Sequence, residues 1–196
     1  TFDSIKYSSL EAQFHARHVP SETLKSTESG ERRAAAQMIY YVETGSAIYS
    51  FMFNLDISTI GHTTLKKVEK VIDDEEYQRR IKVALGALSN LLANASFGAK
   101  RTRFLPIIDI QSAIVSVSHP VPFNVMPPSV PSFITDTVTK LNSFNEMLRR
   151  IGINEKVSLF GFTKEKSVSI PDNVNKVSNI QEAITKVMDI VLKWIS

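Results

Sequence analysis

Cysteine is absent from the 196 residues and tryptophan occurs once. With no thiol, disulfide frameworks and thiolate metal sites are excluded. Charge of one sign is not in large excess either: 23 basic residues face 20 acidic ones, a net charge of +3. The pI near 9.1 therefore overstates the basicity, and any anion site must come from local clustering rather than a global field. No apolar run approaches the roughly 18 residues of a membrane-spanning helix, and no signal-peptide pattern opens the chain. The expectation is a soluble, cytoplasmic protein with no membrane partner. HExxH, P-loop and GxSxG motifs are missing, and no His/Asp/Glu spacing approaches a metal site. No catalytic residue, metal or cofactor is therefore expected. There is no internal repeat or low-complexity tract.

What is present is a chain 43% apolar, enough to bury one core and read as a single domain over residues 1–196. Its most informative stretch is Phe97-Gly98-Ala99-Lys100-Arg101-Thr102-Arg103-Phe104-Leu105-Pro106. Three cations lie within four positions, Gly98 stands just before them, and two Phe bracket the set. Backbone freedom, guanidinium forks and flat rings are what a protein uses to hold phosphates and stack on bases. Nucleic acid is the first ligand class to consider.

Residues 8–18 alternate as a half-buried strand, with Leu10, Ala12, Phe14 and Ala16 on one face and Glu11, Gln13, His15 and Arg17 on the other. A polar segment from Pro20 to Ala36 follows. Gln37–Glu43 and Ser46–Asp56 are rich in Ile, Tyr, Phe and Val, with Thr44-Gly45 between them as a tight turn or a bulge in a longer strand. Ala47, Tyr49, Phe51, Phe53 and Leu55 share one face; they and Tyr40 and Tyr41 read as core residues rather than a base-stacking platform, as do Phe160 and Phe162.

Glu75–Asn94 is the clearest helix. Tyr77, Ile81, Ala84, Leu85, Leu88, Leu91 and Leu92 form its apolar stripe, and acidic residues at its start suit the positive end of the helix dipole. Ile107–Ser118 reads as a strand, Phe133–Ile151 as a helix, Val157–Phe162 as a strand and Val168–Ile170 as a short one. The last helix is Ile180–Ile195, capped by Ser178 or Asn179. This order predicts an α+β fold, an antiparallel sheet with helices on one face. Its strand–strand–helix–strand core matches the second half of a βαββαβ ferredoxin-like or RRM fold. The first strand and helix of that fold are expected before Thr1.

Three segments together resemble one family. They are Leu10–Arg17, the strand pair Gln37–Leu55 with Gly45-Ser46-Ala47-Ile48-Tyr49-Ser50-Phe51, and the helix-to-basic-turn segment Ala84–Pro106. They look like the backbone subunit of archaeal type I CRISPR surveillance complexes (Cascade), of the DevR/Csa type. This is a branch of the RAMP proteins, which carry a modified RRM fold. The resemblance corresponds to the later part of the family domain. It implies a non-catalytic subunit that polymerises side by side along CRISPR RNA, gripping the sugar-phosphate backbone and presenting the guide to target DNA. It also implies contacts with other Cascade subunits and with further copies of itself in a helical filament.

On spacing alone, Lys100, Arg101 and Arg103 read as a solvated basic turn; with the resemblance they read as phosphate contacts. Gly98 and the small residues before it would leave backbone N–H groups open to an anion. His15 and Arg17, two apart on a strand, share its polar face, where His could stack and Arg hold a phosphate. Arg32 and Arg33 belong either to a solvated loop or to a contact with RNA or a neighbouring subunit. Two other functions stay open. One is a RAMP-type endoribonuclease using His15 or His18 as acid and base. The other is a scaffold or regulator of the same fold that binds no RNA.

Overall fold

Alternation after Phe2 and the aromatic and β-branched run after Gln37 build a long two-stranded ribbon. In the computed structural model, which describes residues 2–18, 37–63, 66–94, 108–154 and 156–195, β1 is Phe2–His18 and β2 is Gln37–Phe51. They pair antiparallel from Phe2↔Phe51 to His18↔Gln37. For residues 2–18 and 37–46 the description is of the backbone alone. Gly45 faces Leu10 inside a continuous strand, so of the two readings of Thr44-Gly45 the longer strand forms and the tight turn does not, and no bulge falls at Gly45. The register slips instead between Ser4 and Lys6 and between Lys6 and Ser9. Each slip inserts an extra residue into β1, which raises the local twist. β2 stops at Phe51, not Asp56.

The chain divides into two compact units, Thr1–Phe51 and Met52–Ser196, each taken by itself. The second unit begins with a 3-10 turn at Ile57–Thr59 and two short antiparallel strands, β3 (His62–Thr63) and β4 (Glu69–Lys70). Helix α1 follows at Asp74–Ala93, within a residue of expectation at each end. Asp73 caps it, its carboxylate accepting from the Glu76 N–H at 2.7 Å, and three acids fill the first turn.

The main sheet of this unit has the order β5–β6–β7, with β5 at Ser112–His119, β6 at Lys156–Thr163 and β7 at Asn175–Lys176. β5 and β6 pair antiparallel from Ser112↔Thr163 to His119↔Lys156. β7 joins β6 in parallel. The architecture is α+β with helices packed on a sheet, as the sequence implied, but the helices cover both faces and not one. The reason is the alternation of β5 and β6, which is apolar on both sides. Val117, Phe160 and Phe162 pack with Ile81 and Leu85 of α1 and with Ile180, Ala183, Ile184, Val187 and Val191 of α3 (Ile180–Ile195). Leu159 faces the other way, against Phe133, Ile134, Val138 and Leu141 of α2 (Phe133–Arg150) and against Phe123, Val168 and Val174. Each fully buried large apolar side chain contributes about 1.5–3 kcal/mol, so neither face can be left bare.

The short strand expected at Val168–Ile170 is absent. Val168 is a buried loop residue, its N–H in a turn with the Glu165 carbonyl at 3.3 Å, and Pro171 follows Ile170. The strand lies later, where the Asn175 side chain donates to the Leu159 carbonyl at 2.9 Å and Val177 N–H to Gly161 at 3.1 Å. At α3 both expected capping positions take part. Asn179 Oδ1 accepts from the Glu182 N–H at 2.9 Å, and the Glu182 carboxylate accepts from the Ser178 N–H at 2.7 Å. That second bond holds the Glu182 carboxyl below the usual range. Gly152, at φ +76°, ends α2.

The core assignment of Phe160 and Phe162 holds. That of Tyr49 and Phe53 does not: they are 49% and 52% exposed, and Phe51 is 36% exposed. Alternation marks a common face but does not say what covers it. No helix among the described residues is long and apolar enough to cross a membrane.

Candidate nucleic-acid interface

The expected contact residues fall in three places. His15 and Arg17 lie in β1, opposite Tyr40 and Met38 of β2, two positions apart as the sequence required. Their side chains are outside the described set. Arg32 and Arg33 fall within residues 19–36, and Gly98, Lys100, Arg101 and Arg103 within residues 95–107, which lie outside the described residues.

Both ends of the 95–107 segment are framed. On its near side α1 ends at Ala93, with the Asn94 N–H bonded to the Asn90 carbonyl at 2.8 Å. This is a helix C-terminus, where unpaired carbonyls and the negative end of the dipole gather. The backbone N–H groups expected to be open to an anion, at Gly98 and the small residues before it, lie outside the described residues.

On the far side the chain is clipped onto the end of β6. Asp109 accepts from the Lys164 ammonium and, at 2.7 Å, from the Gln111 amide, while the Lys164 N–H donates to the Gln111 carbonyl at 2.8 Å. The Lys164 hydrogen bond holds the Asp109 carboxyl below its ordinary value.

The other arginines close to this segment in sequence are committed elsewhere. Glu76 accepts from Arg79 Nε and Nη2 at 2.5 and 2.7 Å and from Arg80 Nε at 2.8 Å. These bonds, Arg79 first, lower the Glu76 carboxyl to about 2. The histidines of the second unit are equally occupied. His62 Nδ1 lies 3.1 Å from the Ile60 carbonyl, its ring edge-on to Tyr77 at 6.2 Å, and His119 sits 5.7 Å from the Trp194 ring. Among the described residues no group of three His, Asp or Glu side chains is placed to hold a metal ion.

A further polar cluster was not foreseen. Asn54 donates to Asn124 Oδ1 at 3.2 Å, and Lys140 Nζ donates to the Asn124 carbonyl at 2.8 Å. No periodicity could have found it, because its members are 70 and 16 residues apart.

Residues 2–138, from β1 through the first turns of α2, match the family model described as CRISPR-associated negative auto-regulator DevR/Csa2. The chain belongs to the DevR/Csa2 family. The match spans the ribbon, α1 and the basic segment, which are the segments on which the sequence resemblance rested. Among relatives, the chain is 32% identical over 165 residues to CRISPR-associated protein Cas7/Csa2 1 of Saccharolobus solfataricus, covering 84% of this chain and 49% of that protein. It is 30% identical over 181 residues to CRISPR-associated aCascade subunit Cas7/Csa2 2 of the same organism, covering 90% and 51%. It is 28% identical over 162 residues to CRISPR-associated protein Cas7/Cst2/DevR of Methanocaldococcus jannaschii, covering 83% and 46%. This DevR/Csa2 chain thus spans about half the length of the curated relatives it matches.

Proposed function

We propose that this DevR/Csa2 protein is a non-catalytic, cytoplasmic CRISPR RNA-binding subunit. Copies of it polymerise along the guide as the backbone of an antiviral surveillance complex, in contact with other Cascade subunits and, through the guide, with target DNA. Lys100, Arg101 and Arg103 take phosphates, with Gly98 giving the backbone room to approach. His15 and Arg17 add a contact from the ribbon, and Arg32 and Arg33 reach RNA or the next subunit. No metal or cofactor enters the reading.

The observation that carries it is the 30% identity, over 90% of the chain, to a relative named as an aCascade subunit. With a net charge of only +3, RNA affinity must come from local clusters, and the basic segment is the densest one in the sequence. A second reading, an RNA-free regulator, is favoured by the words "negative auto-regulator" in the family description.

Binding of repeat-spacer RNA across a salt series separates the two. Phosphate contacts on single strands change the slope of log K against log salt by about 0.7 each. The combined Lys100→Ala/Arg101→Ala/Arg103→Ala variant should therefore flatten it by about 2. Recovery of intact RNA from the binding reaction is expected. Cleaved RNA that His15→Ala protects would replace the subunit reading with the endoribonuclease, and no binding at low salt would favour the regulator.

A further inference from the structure

The loop between β5 and α2 is pinned from below by three hydroxyls. Ser116 Oγ donates to the Phe123 carbonyl and Ser118 Oγ accepts from the Phe123 N–H, both at 3.0 Å. The buried Thr137 Oγ1 accepts from the Met126 N–H at 3.0 Å. Phe123 itself is anchored in the core. The residue these bonds leave at the surface is Asn124, whose carbonyl is fixed in turn by Lys140. An exposed amide on a backbone held at four points is pre-organised, so a ligand would spend little entropy in ordering it.

The surroundings of Asn124 have the composition of a single-strand contact. The Asn54–Asn124 hydrogen bond uses one donor and one acceptor. It leaves the Asn54 carbonyl oxygen and the Asn124 NH2 outside that bond on two exposed residues, a combination able to pair with the edge of a base. Phe53, next in the chain to Asn54, is 52% exposed. Lys140 forms no ion pair among the described residues. Lys70, Arg79, Arg80, Arg150 and Lys164 all pair with carboxylates, whereas Lys140 donates to a neutral carbonyl and lies 5.6 Å over the Phe123 ring. Asp136, one helical turn back, is occupied by the Ser132 hydroxyl at 2.7 Å. An ammonium held by a neutral carbonyl, with no carboxylate in ion-pair distance among the described residues, is suited to a phosphate oxygen.

We propose that Asn124, Asn54 and Lys140 form a contact site for single-stranded RNA, separate in sequence from the basic segment at 98–103. Lys140 meets a phosphate and the amide pair meets a base edge. The site rests on the RNA-binding reading above and adds to it a second place where the strand is held.

The test uses the purified protein and a single-stranded CRISPR repeat-spacer RNA carrying 4-thiouridine, titrated over a salt series. Lys140→Ala should flatten the salt slope by about 0.7. Asn124→Ala should weaken binding at least about fivefold with the slope unchanged, as a base-edge contact does. Lys193→Ala, an exposed cation on α3, should change neither. All three site residues are exposed, and photocrosslinking of the unaltered protein gives a reading independent of any variant. Crosslinks should fall on the peptides holding Phe53-Asn54 or Phe123-Asn124. Tight RNA binding by the unaltered protein with the site variants indistinguishable from it, and no crosslink on those peptides, would overturn this site while leaving the RNA-binding reading intact. No RNA binding by the unaltered protein at low salt would overturn both.

Discussion

The hydroxyl of Thr137 takes the N–H of Met126 at 3.0 Å and gives its own proton to the Phe133 carbonyl at 2.7 Å, with no surface exposed to water. One buried side chain thus ties α2 to the loop that carries Asn124. Thr137→Val keeps the shape and strands the Met126 N–H, which should cost about 1–3 kcal/mol in urea unfolding. Thr137→Ser, which restores the oxygen, should recover the hydrogen-bond part of that loss. A valine variant as stable as the parent would mean that water reaches Met126.

Gly161 sits at the centre of β6 with little room for a side chain. A methyl there would lie 3.0 Å from Val174 Cγ1 and 3.6 Å from the Ala113 carbonyl. Gly161→Ala should destabilise the protein by about 1–3 kcal/mol, the range for overpacking a filled core. Thermal unfolding reads this directly. The double variant with Val174→Ala should recover part of the loss, and failure to do so would locate the strain in the backbone.

Gly86 presents the opposite case. It lies exposed within α1, and an added methyl meets nothing within 4 Å. Gly86→Ala should stabilise the protein by about 0.5–1 kcal/mol through lower backbone entropy in the unfolded chain. A loss of stability on calorimetry would contradict the open surface seen beside it.

The Glu76 carboxyl, hydrogen-bonded by Arg79 and Arg80, is lowered from 4.5 to about 2. A carboxyl depressed on folding stabilises above its unfolded value and loses that contribution as pH falls through the folded one. The Tm advantage of the parent over Glu76→Gln should therefore be full above pH 4.5 and fade towards pH 2. High salt should shrink it at every pH, since both arginines are exposed. A pH-independent difference would mean that Glu76 acts through packing rather than charge.

Helices were the most legible part of this chain. α3 begins and ends where its apolar period does, and its cap was readable from Ser178, Asn179 and Glu182 because these interactions are local. Strand partners were less legible. Gly45 resembles a turn residue, yet the apolar runs on either side of it continue as one strand against β1. Pairing between distant segments, not local propensity, decided that. The second helix-covered face was visible in principle, since Ile114 and Val115, like Leu159 and Phe160, place apolar groups on both sides of the sheet. The family was legible from three segments. The Asn54–Asn124–Lys140 cluster was not, because it exists only once the sheet brings three separate segments together.

The central strand β6 divides its side chains between two cores that have no buried residue in common. Loosening either core loosens the wall of the other, so neither can melt by itself while β6 remains paired. Amide protons of Leu159 and Phe160 should thus exchange only when the whole unit opens, at a rate set by its global stability.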